Sequence, residues 1–520
     1  MIKKILFNSQ LYKFCVQQKI YKPKASKGGL NLLLFLFSLG FVNQYTKYRD
    51  YMSNIFLSQQ EVADFRKNKQ LQVDKKTLKY HEINIKRNQD TETAVIIGGG
   101  IVGLSQALKL LQKGYSVILI EKEQFISTKC SAFNGNIYNP YLFNPLISKY
   151  SIKTMLNNYI NPTDTATQRF SFNSLLEPGG LIWLINALRL STSDEQFDKS
   201  IQDMTKLGHI QEQEFEKIKK MGLLEKQLTA EGELSFYKST EYGKRISQSF
   251  QKAGIEFKEV DKTKFNQHDI DRHLFENYPY VIRLDKENNL DTKQLSINTL
   301  KYCQKHYPNK FNILYGTEFK EFIMNYNRYV LGINTNKGVI YGDAFIICAG
   351  LHSKYITKKL GVTLPIMPCR GWIIESELPQ SAKGSVLDRM VLKLPTLSIT
   401  NLNNKLRISG CQLIDQEYKS DDPLNEWGAQ ILIKQMKEQF NIDLDTQSIS
   451  VRDCCRPLTP DDKIILSKLQ LNRNVYVNAG HGSRGMSQCH GCAEIIYQLM
   501  KGQQNKEDYS AFDLTRFLFV

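Results

Sequence analysis

The sequence predicts an α/β protein, and three segments carry that prediction. Residues 93–121 read as strand, glycine turn, helix and strand. Ala344–Cys348 is an apolar run ending in Ala349-Gly350. Residues 474–501 read as a strand (NVYVNAG), a glycine-rich loop and a helix over Met486–Lys501. Strands separated by helical stretches are the pattern of a parallel sheet covered on its faces.

In the first segment, Ala94–Ile97 runs into Gly98-x-Gly100-x-x-Gly103, and helical spacing follows at Leu104, Ala107, Leu108 and Leu111. Gly114 marks a turn, and Val117–Ile120 stops at Glu121. Each part has a job in a βαβ unit that holds a dinucleotide. Gly98 permits the tight turn, Gly100 admits a pyrophosphate to the backbone, and Gly103 allows the helix to pack on the strand. The free N–H groups and positive dipole end of the helix, at Ile101 and Val102, face the phosphates. Glu121, followed by Lys122, accepts hydrogen bonds from the adenosine ribose. Its charge repels a 2′-phosphate, which points to FAD or NAD and away from NADP.

Three later stretches carry chemistry. The loop Cys130–Pro140 is rich in small and amide residues, and Ser131 and Asn134 supply polar contacts of short reach. Small residues at Ala349-Gly350 let a strand end approach the nucleotide crevice. In the loop Gly480, His481, Gly482, Ser483, Arg484, Gly485, the glycines are expected to leave backbone N–H groups free at a helix start, where they stabilise negative charge. Arg456, just before Pro457, is a fixed cation able to hold a carboxylate through two parallel hydrogen bonds, although from the residue alone a salt-bridged or surface arginine is the favoured reading.

The charge of +17 is unevenly placed. Met1–Lys27 holds seven lysines and no acid, and the first acidic residue is Asp50. No interleaving of basic and aromatic residues marks a nucleic-acid groove, so nucleic acid is not an expected partner. Ten cysteines spread over a long chain read as reduced intracellular thiols rather than a disulfide framework. Cys489-His490-Gly491-Cys492 falls within a helix and lacks a second pair at zinc spacing, so buried thiols are expected and no metal site is assigned.

Residues 1–27 fit a basic targeting segment of mitochondrial type. Residues 28–46 are uncharged and long enough, at roughly 28 Å as a helix, to cross a bilayer core. A membrane anchor, a cleaved or buried apolar segment and an interfacial helix are the readings left open. Residues 47–92 read as a charged tether, and the folded part begins at Thr93. Ser191–Glu231 reads as a pair of surface helices packing one apolar face.

Taken in order, these motifs resemble the D-amino-acid oxidase superfamily, and within it the D-amino-acid dehydrogenase small-subunit branch. The resemblance runs from about Thr93 to Phe517. It rests on Ser131, Asn134 and Pro140; Gly232-Glu233-Leu234; Leu290-Asp291 with Leu295; Pro365, Pro368, Arg370 and Gly371; Arg407–Gly410; Arg456–Asp461; and Gly480–Gly485. It implies an α/β fold, α+β overall, in which a Rossmann-type FAD-binding domain (93–150, 285–365, 451–502) interleaves with an antiparallel-sheet substrate domain (151–284, 366–450), followed by a tail at 503–520. It also implies noncovalent FAD and Arg456 as the carboxylate-binding residue. The departures are Cys454, where a glycine is usual, Cys455, Asn136 at the end of the SxxNAG loop, and Arg484.

The activity so implied is oxidative deamination of D-amino acids. The α-hydrogen leaves as hydride to flavin N5, the products are a 2-oxo acid and ammonia, and electrons pass to a membrane or respiratory acceptor. The N-terminus places such a protein at the mitochondrial inner membrane. The rival reading is an accessory FAD-binding subunit or assembly factor of a respiratory complex, partnered by that complex's subunits. An oxidase or dehydrogenase of N-methyl amino acids is a third.

Overall fold

The computed structural model describes residues 56–57, 91–141, 144–160, 166–191, 193–224, 228–265, 268–417, 421–503 and 509–520. The basic leader and apolar segment at 1–46, and the tether apart from Phe56–Leu57 and residues 91–92, lie outside the described residues. Among the described residues no helix is long and apolar enough to cross a membrane. The chain divides into a small unit, residues 1–71 with 324–326, and a large unit comprising the rest. In the small unit, Phe56–Leu57 pairs in parallel with Met324–Asn325.

The large unit is built on two sheets. The first has six strands, in the order Phe311–Leu314, Ser116–Ile120, Thr93–Ile97, Ala344–Ile347, Val475–Ala479 and Ile465–Lys468. Its first five strands run parallel and the last is antiparallel. Thr93–Ile97 and Ser116–Ile120 are buried at every position, as expected for strands covered on both faces. The helix Ile101–Gln112 ends at Lys113, and Gly114 follows at φ +91°, the left-handed turn that closes a helix C-terminus.

The second sheet has nine strands and is mostly antiparallel. Ser450–Leu458 lies at one edge, followed by Met367–Glu377, Lys405–Ile414, Leu397–Leu402, Val391–Lys393, Glu233–Tyr237, Tyr280–Leu284 and Lys258–Glu259; Gln168–Phe170 pairs alongside Lys405–Ile414. The fold is therefore α/β with a mixed parallel sheet and a larger antiparallel sheet, as the sequence predicts. Each sheet has its own apolar core, one around Ile96, Leu104, Val117 and Ile346 and the other around Trp372, Ile374, Leu406 and Phe440.

Asp194–Lys220 forms a single helix, not the expected pair. Ser193 caps its start by accepting from the Gln196 N–H at 3.1 Å, and no proline interrupts the following 27 residues. Its apolar stripe packs on the helix Gly485–Met500. There Gln211 Oε1 accepts from the His490 and Gly491 N–H groups at 3.0 and 2.8 Å. A side chain at 491 would meet the Gln211 backbone at 2.9 Å, so glycine is what permits the approach. Cys489 and Cys492 are fully buried on that helix.

Cys130 and Cys454 are joined in a disulfide with Cα atoms 5.6 Å apart, within bridging range. This corrects the expectation that every thiol is reduced. The pairing depends on a loop after the first sheet's second strand meeting the edge strand of the other sheet.

Candidate active site

The glycine turn forms the cradle its spacing predicts. Gly98 sits at φ +113°, and a side chain there would press on the Cys348 carbonyl at 2.6 Å. A side chain at Gly103 would overlap the Gly98 carbonyl. Gly100 differs, since the nearest atom to an added Cβ is Ser131 Oγ at 3.2 Å and the space beyond is open. The Ser131 hydroxyl accepts from the Ile101 N–H at 3.0 Å. Glu121 holds the turn from the other side, accepting from the Gly99 and Glu123 N–H groups at 2.7 and 2.9 Å. Lys122 lies 3.0 Å from His352.

The Cys130–Asn136 loop is braced internally. Asn134 Nδ2 donates to the Cys130 and Ser131 carbonyls at 3.1 and 3.0 Å, and its Oδ1 accepts from the Asn136 N–H at 2.8 Å. Asn134 therefore shapes the loop while also lining the cavity. Asn136 sits at φ +54°, so the position retains the left-handed backbone that glycine adopts most easily and asparagine tolerates. Arg407 fastens the loop to the antiparallel sheet, donating to Asn136 Oδ1 at 2.8 Å and the Asn134 carbonyl at 3.1 Å while paired with Glu375. The Cys130–Cys454 disulfide is a second tie between the same loop and that sheet.

Arg456 projects from the edge strand across its neighbour. Its guanidinium rests on Gly371, where any side chain would collide with it, and Nη1 donates to the Cys411 carbonyl at 3.1 Å. Among the described residues no carboxylate lies within ion-pair distance of it. A cation fixed by a backbone carbonyl and left without a counter-ion is suited to receive an anion.

At the far side, Gly480 and Gly482 adopt φ +73° and +52°. The Gly482 N–H donates to the Pro457 carbonyl at 2.9 Å, so it is not among the free donors the sequence suggested; the helix start at Gly485 is where such donors remain. His481 is buried, and its Nε2 lacks a partner. Burial holds its imidazole neutral, with the pKa down at about 3. Arg484 is also buried and donates to Asn139 Oδ1 at 3.2 Å. Burial pushes the nearby Asp462 carboxyl up to about 6, although the Leu146 N–H donates to it at 2.8 Å.

One cavity of about 1650 Å³ gathers these groups. It is lined by Gly98, Gly100, Ile101, Val102, Glu121, Lys122, Ser131, Asn134, Gly350, Arg456, His481, Gly482, Ser483, Arg484 and Gly485. Gly103 and Gly480 stand behind it, Gly103 against Gly98 and Gly480 against Thr459. Lys393, which sequence reasoning missed, also lines the cavity; its only signal is a charge inside the apolar strand VLKLP. The open space at Gly100, the helix start above it and the unpartnered nitrogen of His481 fit a flavin dinucleotide. The volume exceeds the ~300–1,000 Å³ of a typical small-molecule pocket, leaving room for a substrate beside the cofactor.

Fold and cavity together define a dinucleotide-binding protein whose second sheet closes a substrate-sized space. The chain belongs to the DAO family of FAD dependent oxidoreductases, whose family model matches residues 93–499. Two D-amino acid dehydrogenases are similar to it: that of Vibrio vulnificus, 24% identical over 205 residues, and that of Allorhizobium ampelinum, 25% identical over 210 residues. Each alignment covers 39% of this chain and 47% of the relative, so the chain spans about half the length of the curated relatives it matches. Among solved structures, the insertion-deleted L-amino acid deaminase from Proteus vulgaris superposes with TM-score 0.58 at 16% identity, covering 84% of this chain and 97% of that one. Glycine oxidase from Geobacillus kaustophilus gives 0.58 at 14% identity, covering 82% and 100%. At these identities the likeness is one of fold.

Proposed function

We propose that this chain binds FAD noncovalently in the cavity and oxidatively deaminates amino acids, D-amino acids foremost. The observation that carries the reading is Arg456, a cation braced by Cys411 and Gly371, without a carboxylate partner, in the same cavity as the glycine cradle. Bound FAD supplies the two-electron acceptor. Arg456 takes the substrate carboxylate as a bidentate pair and so fixes the α-carbon. The neutral His481, with its free ring nitrogen, supplies a polar contact without adding charge. The Gly98–Gly103 turn, the Ile101 helix start and Glu121 hold the dinucleotide.

The electron acceptor in this reading is a quinone or respiratory partner, and the protein resides at the mitochondrial inner membrane through residues 1–46. The lysine-rich leader and the uncharged stretch support that placement. Anaerobic mixing of the purified flavoprotein with D-, L- and N-methyl amino acids tests the activity, and bleaching of the flavin by D-amino acids is the expected result. Absence of bleaching by every member of the panel would favour the accessory-subunit reading.

A further inference from the structure

The cavity holds a further cation besides Arg456, Arg484 and Lys122, namely Lys393. Strand pairing aligns Ile373, Ser409, Ser398, Lys393 and Ser235 in a single row across five strands, and all five line the cavity. Lys393 is the only charged member of that row. Among the described residues it has no carboxylate within ion-pair distance and no hydrogen-bond acceptor. Its strand lies beside that of Glu233, a fully buried acid whose Oε1 accepts from Ser235 at 2.8 Å and whose Oε2 lacks a partner. Val391 pairs with Glu233 and Lys393 with Ser235, so both charged residues sit on one face of adjacent strands. Burial depresses the Lys393 ammonium, and Glu233 pulls the other way. A partnerless ammonium in such a place is costly until an anion reaches it.

Arg456 lies across the same cavity. Its Nη1 sits on the carbonyl of Cys411, two residues along the strand from Ser409. Two strand spacings and two residues of rise put the Cys411 and Lys393 backbones roughly 12 Å apart. Side chains of this length can converge from that separation on the two ends of one small molecule. The serine hydroxyls between them keep the intervening surface polar.

We infer that Lys393 binds a second carboxylate, so that the cavity is built for amino acids with an acidic side chain, Arg456 taking the α-carboxylate and Lys393 the distal one. This rests on the reading of Arg456 as the α-carboxylate site and deepens it to a substrate class.

The test uses ligands the protein cannot oxidise. Glutarate and butyrate are titrated into the holoprotein, with binding read from perturbation of the flavin absorbance and by calorimetry. Glutarate is expected to bind at least about tenfold more tightly than butyrate, as a charge-assisted pair requires. Lys393→Met should erase most of that ratio, and Lys393→Arg should retain most of it. Equal binding of the two acids by the wild type would overturn the inference, as would a ratio unchanged in Lys393→Met. Loss of flavin from both variants would also overturn it, by assigning Lys393 to the cofactor. Because no turnover is involved, a Lys393-dependent ratio without bleaching by any amino acid would sink the deaminase reading and leave this one standing.

Discussion

Cys130 and Cys454, 324 residues apart in sequence, are bridged by a disulfide that ties the loop bracing the cofactor helix to the strand bearing Arg456. Ser131, next to Cys130, holds the Ile101 N–H, and Arg456 stands two residues beyond Cys454. The bridge therefore joins the two halves of the cavity, alongside the Arg407 contacts to the same loop.

Peptide mapping under non-reducing conditions should recover residues 130 and 454 in one cross-linked fragment. Cys454→Ser should lower stability by about 2–4 kcal/mol, the usual range for a lost disulfide, and should speed release of flavin. A thermal midpoint indifferent both to strong reductant and to Cys454→Ser would show that the bridge does not hold the cavity together.

Two glycines of the turn should respond differently to substitution. Gly100→Val projects into open space beside Ser131, so the protein should fold and lose its flavin. Gly103→Ala overlaps the Gly98 carbonyl and should cost stability, roughly 1–3 kcal/mol or more as overpacking does. Circular dichroism with flavin extraction separates the cases. A folded Gly100→Val protein carrying full flavin would refute the cradle.

Acid should destabilise the fold earlier than carboxylate titration alone would. Burial keeps His481 and His490 neutral down to about pH 3, whereas an unfolded chain protonates them from pH 6.5. The unfolded state thus binds more protons, and stability falls as pH drops through that window, by up to about 1.4 kcal/mol per pH unit for each imidazole. Asp462 acts in the opposite sense. Burial raises it to about 6 from 3.8, so its contribution is full at the acid end and is lost as pH rises through 6. Burial raises Glu233 and Asp271 as well. Against these, His352 is also lowered by burial, and Glu177, Asp198, Asp461 and Glu494 are lowered despite theirs. The groups that lose stability in acid are therefore the more numerous, and the thermal midpoint should fall between pH 6.5 and 4. His490→Gln should flatten that slope; an unchanged slope would remove the imidazole from the explanation.

The N-terminal segment should account for membrane attachment. Full-length protein should pellet with membranes and resist alkaline carbonate. Protein lacking residues 1–90 should stay in the supernatant with its flavin bound. Release of both forms by carbonate would point to an interfacial or cleaved segment instead.

Much of the cofactor cradle was legible because its constraints are local. Gly98 must reach φ +113°, and Gly103 must clear a carbonyl five residues back, so the spacing itself carries the geometry. The disulfide was not legible, because it depends on a loop from one sheet meeting the edge strand of the other. Lys393 was hidden for a related reason. Its place in the cavity follows from the register of five strands, and one lysine in an apolar run says nothing of that. The expected helix pair at Ser191–Glu231 became one helix because nothing in Asp194–Lys220 breaks it. The glycine-loop donors were overcounted, since the Gly482 N–H was already bonded to Pro457.

Amino-acid oxidation in this cavity stands or falls with Arg456. Anaerobic titration of the wild type and of Arg456→Ala with D-amino acids, following flavin bleaching, reads substrate binding and reduction together. The wild type should bleach, and the second-order rate constant for flavin reduction should fall at least about tenfold in Arg456→Ala, since a charge-assisted pair is worth about 1.5–3 kcal/mol. Arg456→Lys should recover little, because lysine lacks the planar fork, and flavin content should stay near wild type in both variants. Bleaching of Arg456→Ala as efficient as that of the wild type, or a wild type bleached by no amino acid, would contradict this role.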